Sequence, residues 1–197
     1  MDIQSTRSIL YYSIIFPDQY ERILKIVQEK LFGNRTADYS GGLFVKQDDG
    51  FGPCFGSISE EDKKIICETY HNIISQFKRG EIFVLYNNTF YKINSHFHIT
   101  ILYVGGKEHE KSVEMESQMG REIQVPIDKF AISSEFIALR VGDLRCHYYG
   151  NSVKHITIGL AKSEKRLLPK DSPKAFTEGH VCDVNLNLSG VMHKVMK

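Results

Sequence analysis

The chain has 197 residues, 42% hydrophobic and 25% charged, with a formal net charge of +1. This is the composition of an ordinary globular protein with one core, and it excludes a whole-molecule field for nucleic acid or anionic membrane. No apolar run approaches the ~20 residues of a membrane-spanning helix, and the polar start Met1-Asp2-Ile3-Gln4-Ser5-Thr6-Arg7 is unlike a signal peptide.

In chain order, Ser8 to Phe16 reads as an apolar strand ended by Pro17. Asp18 is then expected to cap a helix whose apolar face is Ile23, Leu24, Ile26, Val27 and Leu31, with Gly33-Asn34 as the stop. Residues 34–57 are Gly-rich and predict a long loop or a short hairpin around Leu43-Phe44-Val45. Ser59-Glu60-Glu61-Asp62 opens a second helix, whose period runs on to Lys78-Arg79-Gly80. Strands follow at Ile82–Tyr86 and Phe90–Ile93 around an Asn87-Asn88 turn. The charged stretch Gly105 to Gly120 predicts a loop or short exposed helix. Ile123–Ile132 and Phe136–Val141 are further strands, Lys162 to Gly179 a polar loop, and Val181 to Val195 a last strand. No linker divides the chain, so residues 1–197 are expected to form one α+β domain. Cys54, Cys67, Cys146 and Cys182 lack any C-x-x-C spacing and predict reduced thiols in a cytoplasmic protein.

The tetrapeptide His-Ile-Thr-Ile occurs twice, at His98–Ile101 and His155–Ile158, each time in a β-branched apolar run. With 8 His and seven Thr, chance supplies about 0.3 occurrences of His-x-Thr. Strands alternate their faces, so His and Thr share one face, roughly 6.5–7 Å apart at their Cα atoms, while the Ile pair enters the core. Two such strands side by side would supply two imidazoles and two hydroxyls. A neutral imidazole takes a proton from an attacking hydroxyl, and a protonated one gives a proton to a departing oxygen. Hydroxyls and backbone N–H groups hold phosphate oxygens as negative charge grows. Phosphodiester cleavage needs these parts, and needs no metal when the nucleophile is a neighbouring ribose hydroxyl or the substrate a strained cyclic phosphate.

The paired motif resembles the signature of the two-histidine (2H) phosphoesterase superfamily, the LigT-like fold. The separation, 155 − 98 = 57 residues, is somewhat short for it. The segment Ile132–Leu160 also resembles the cyclic phosphodiesterase domain of fungal-type tRNA ligases. The resemblance covers about residues 80–195. It implies a bilobal, pseudo-symmetric α+β fold, with antiparallel sheets around a central cleft and flanking helices. It implies His98, Thr100, His155 and Thr157 as catalytic residues, no metal or other cofactor, and a nucleotide or RNA substrate. The implied activity is metal-independent cleavage of 2′,3′-cyclic phosphates or of 2′–5′ linkages in RNA, oligoadenylate or cyclic dinucleotides.

Two roles stay open. One is a viral degrader of cyclic dinucleotide or 2′–5′ oligoadenylate immune messengers in the host cytoplasm. The absence of a fused kinase or ligase domain and a composition of few Ala and many Ile, Lys and Asn, as in AT-rich genomes, suit it. The other is a 2′,3′-cyclic phosphodiesterase acting on RNA ends. A non-catalytic nucleotide-binding module of the same fold is the alternative to both. In each case the chain is expected to act as a monomer without a stable protein partner.

Around the motifs, Tyr148, Tyr149 and Phe176 are candidates to stack on a base, and Arg145, Lys154 and Lys162 to steer phosphates. Gly159 and Ala161 share the face of His155, where small side chains admit a phosphate or ease packing. His96 would share the face of His98 as a His-x-His metal pair or a hydrogen-bonded strand residue. His71, His109, His180 and His193 carry no expected role.

Overall fold

A computed structural model of the chain describes residues 8–106, 109–144 and 153–197. Its elements are β1 (Ile9–Ile15), α1 (Tyr20–Phe32), β2 (Gly41–Gln47), β3 (Gly50–Pro53), α2 (Glu60–Ile74), β4 (Ile82–Tyr86), β5 (Thr89–Ile93), β6 (His98–Tyr103), α3 (Ser112–Glu116), β7 (Glu122–Ile132), β8 (Phe136–Val141), β9 (His155–Ala161), a 3₁₀ helix (Pro169–Lys174), α4 (Ala175–Glu178) and β10 (His180–Met196).

Local chemistry accounts for most boundaries. The hydroxyl of Ser59 accepts from the Asp62 N–H at 3.0 Å and caps α2. Asn87 and Asn88 take φ of 47° and 61°, the left-handed pair that a two-residue hairpin requires and that Asn tolerates. Three expectations need correction. The residue capping α1 is Gln19, with no side-chain bond, rather than Asp18. The α2 helix ends at Ile74, short of Gly80, after Tyr70 leaves helical geometry at φ −124°; its hydroxyl donates to Asn88 at 2.7 Å and its ring meets Phe90 edge-on. The loop after Lys162 contains the 3₁₀ helix and α4, short turns without the apolar periodicity that marks a longer helix.

Hydrogen bonding runs through one antiparallel sheet in the order β3-β2-β4-β5-β9-β8-β7-β10-β1-β6. It is not split into two sheets, because β5 pairs with β9 over Tyr91–Ile93 and bridges the halves. Gly159 permits that junction: a Cβ there would lie 3.1 Å from the Lys92 carbonyl oxygen. Its small size therefore serves strand packing. Register shifts in β1, β7, β8 and β10 sharpen the twist. The sheet curls until its last strand, β6, comes within 8 Å of β9 at Cα atoms, although four strands separate them in hydrogen-bonding order.

The largest apolar cluster includes Tyr12, Ile14, Ile99, Ile101, Ile156 and Ile158 with the inner face of α1. All four motif isoleucines are thus core residues. A second cluster, built on Phe44, Phe51, Phe77, Phe83 and Phe90, lies between α2 and β2–β5. No helix among the described residues is long and apolar enough to cross a membrane. Cys54, Cys67 and Cys182 are free thiols.

Candidate functional site

Three strands place His98. Ile15 lies opposite it across β1–β6, Ser13 is opposite Thr100, and on the far side of β1 Ser13 faces His193 of β10. Cross-strand partners point to the same side, so His98, Thr100, Ser13, Tyr11 and His193 share one face. The rings of Tyr11 and His98 stack loosely, 5.9 Å apart at 25°.

On β9, His155 is half-buried and Thr157 is 9% exposed. The Nδ1 atom of His155 lies 2.7 Å from the Val153 carbonyl, which fixes Nδ1 as the protonated nitrogen and leaves Nε2 for chemistry. Asn94, just past β5, ties the approach to β6 onto this strand. Its N–H donates to the Ile158 carbonyl at 2.9 Å, and its side-chain amide to the Thr157 carbonyl at 2.9 Å.

The two imidazoles stand on strands that approach within 8 Å at Cα atoms. Burial lowers the pKa of His98 below the ordinary histidine value, and the charges of His155 and His96 lower it further. Burial also lowers His155, but the carbonyls of Val153 and Pro169 beside its ring oppose that shift. Above about pH 7.5 the pair is neutral in folded and unfolded chains alike. As pH falls the unfolded chain takes up protons first, so stability drops until the lowered folded-state pKa values are passed. The double variant His98→Gln/His155→Gln should therefore lose less urea resistance than the wild type between about pH 7.5 and 5. Equal acid losses in the two proteins would show that the pair does not govern this window.

The threonines, equivalent in sequence, differ in setting. Thr100 is exposed. The hydroxyl of Thr157 donates to the Pro169 carbonyl at 3.0 Å and meets the buried Ser172 hydroxyl at 2.8 Å. The 3₁₀ helix is thereby strapped over β9, and Thr157 has no free proton to offer a ligand.

Of the other expected site residues, Arg145 and Tyr149, like Tyr148, lie outside the described residues. Lys162 follows β9, roughly 20 Å along the strand from His155, and its ammonium sits 5.0 Å from the ring of Phe77. It is not brought to the histidines. Phe176 packs into a small cluster with Ala131, Phe136 and Ala175 rather than standing free. Tyr11, Ser13, Asn94, Ser172 and His193 were missed. The alternation of Tyr11 and Ser13 with Tyr12 and Ile14 marks the face of β1 that carries them in the sequence. His193 lies within the expected last strand, which runs as β10 to Met196. Among the described residues no three His, Cys, Asp or Glu side chains come together as a metal site.

No protein-family model matches the chain, and no curated protein matches it.

Proposed function

We propose that the chain is a metal-independent phosphodiesterase of the two-histidine kind, acting on cyclic nucleotide phosphates or 2′–5′ phosphodiesters. The observation that carries this reading is the pair itself. Two half-buried imidazoles stand on β6 and β9, strands that come within 8 Å at Cα atoms although four strands separate them in the sheet order, and the charge of His155 adds to the lowering of the His98 pKa.

Their environments support one division of roles. His98 has no hydrogen-bonded acceptor among the described residues and is pushed toward the neutral form, so it is the base. His155 has two carbonyls beside its ring that oppose the lowering by burial, whereas nothing opposes it at His98, so of the two His155 holds a proton more readily and is the acid. On a 2′,3′-cyclic phosphate, His98 takes a proton from water as the water oxygen bonds to phosphorus. One ribose P–O bond breaks, and His155 gives its proton to the departing oxygen. The exposed Thr100 hydroxyl donates to a non-bridging oxygen. Thr157 acts at one remove, by holding the Pro169–Ser172 turn against His155.

The test is a substrate panel in EDTA: 2′,3′-cyclic mononucleotides, 2′–5′ oligoadenylate, 2′,3′- and 3′,3′-linked cyclic dinucleotides, and an RNA ending in a cyclic phosphate. Turnover of at least one member is expected. Cleavage of the dinucleotides or oligoadenylate supports messenger degradation, and cleavage of the RNA end supports repair. No turnover of any member defeats the enzymatic reading and leaves a binding module.

A further inference from the structure

His98 lines a cleft of about 480 Å³ whose other walls the proton transfers above do not use. Its walls are aromatic. Tyr11 flanks His98, and Tyr20 and Phe97 form a tighter stack, 4.8 Å apart at 15°. Ser13 also lines it, 1% exposed, and its Oγ has no hydrogen-bond partner among the described residues. Buried hydroxyls are nearly always satisfied, so an orphan in the wall of a cleft marks a place for a ligand atom. Its position is fixed on both sides, by pairing with Thr100 and with His193. Among the described lining residues there is no carboxylate, Lys or Arg. The ionisable side chains there, apart from the tyrosines, are the imidazoles of His96, His98 and His193, so no permanent charge faces a ligand. A flat uncharged ring would find stacking surfaces and one buried hydroxyl for its polar edge.

The geometry points to this cleft as a nucleobase subsite: a nucleotide's base lies among Tyr11, Tyr20 and Phe97 with its edge hydrogen-bonded to Ser13 Oγ, while its phosphate reaches His98. That the ring belongs to a nucleotide rests on the phosphodiesterase reading; the aromatic walls and the orphan hydroxyl do not. Small-molecule sites run from about 300 to 1,000 Å³. The cleft is at the smaller end, with room for one nucleoside, so a second nucleotide of any substrate lies outside it. The Ser13 hydroxyl both donates and accepts. Stacking supplies most of the affinity, and the hydroxyl orients the ring.

The test is titration of the full chain in EDTA with the four nucleoside 5′-monophosphates, ribose 5-phosphate and inorganic phosphate. Binding is read by calorimetry and by tyrosine fluorescence, which no Trp obscures in this chain. At least one nucleotide should bind about tenfold or more tightly than ribose 5-phosphate, the margin a stacked base supplies. Ser13→Ala should weaken that nucleotide about tenfold, and Tyr11→Leu by a similar factor. Neither should change ribose 5-phosphate binding. Equal affinity for ribose 5-phosphate and every nucleotide, or unchanged nucleotide binding in both folded variants, overturns the subsite. If both variants unfold, the comparison of nucleotide with ribose 5-phosphate on the wild type decides. Base-dependent binding without turnover of any panel member keeps the subsite and removes the enzyme. Turnover without base-dependent binding does the reverse.

Discussion

Replacing His98 or His155 with Ala should lower kcat/KM for the cleaved phosphodiester by about 10²–10⁴-fold while the protein stays folded. The fold tolerates the change because both rings are half-buried on the polar face, and the core contacts of their strands come from Ile99, Ile101, Ile156 and Ile158. His155→Ala gives up one hydrogen bond, to the Val153 carbonyl, which costs about 0.5–1.5 kcal/mol. In the proposed mechanism base and acid serve one transition state, so the double variant should lose little more than the worse single variant. Losses that multiply would mean that the two rings act in separate steps. A folded His155→Ala protein with undiminished turnover would remove β9 from the chemistry altogether.

That such a pair exists was legible in the sequence, because strand alternation alone puts each His with its Thr and buries the Ile between them. The strands themselves were legible for the same reason, and the Asn87-Asn88 hairpin because few residues adopt its backbone. What surrounds the pair was not, and the cause is long-range pairing. Ser13 becomes a site residue only through its register against Thr100 and His193, partners far away in the chain. The inequivalence of Thr100 and Thr157 is of the same kind. Two identical tetrapeptides cannot reveal that the turn at Pro169–Ser172 folds over one of them and leaves the other exposed. Likewise, pseudo-symmetry suggested two sheets, whereas the three-residue pairing of β5 with β9 makes one. Lys162 looked available to a phosphate because it follows the motif strand, but a strand carries it away by about 3.3 Å per residue, to the face of Phe77.

The largest effect on stability is expected at Phe83, in a region the histidines do not touch. Phe83 is fully buried, and its ring is the hub of the second cluster: 4.7 Å from Phe77, 5.5 Å from Phe44, 5.6 Å from Phe90 and 6.0 Å from Phe51. Phe83→Ala removes that hub between α2 and the sheet and should cost about 3–5 kcal/mol, read as a fall in the urea midpoint. Phe83→Leu should recover much of it, because most of the volume is restored. A loss below about 1 kcal/mol for the Ala variant would mean that the cavity collapses and that the cluster is not a jigsaw around this ring. The m-value separates two further outcomes. An unchanged m means that the clusters unfold together through the β5–β9 junction; a smaller m, or two transitions, means that the α2 side melts alone. Activity discriminates between them as well. The site meets this region through Asn94, which hangs from β5 and holds the carbonyls of Thr157 and Ile158. If the α2 side melts alone, β5 frays with it, Asn94 lets go of β9, and turnover should fall at the first transition while the main core is still folded. If the unit is single, turnover and global structure should be lost at the same urea concentration.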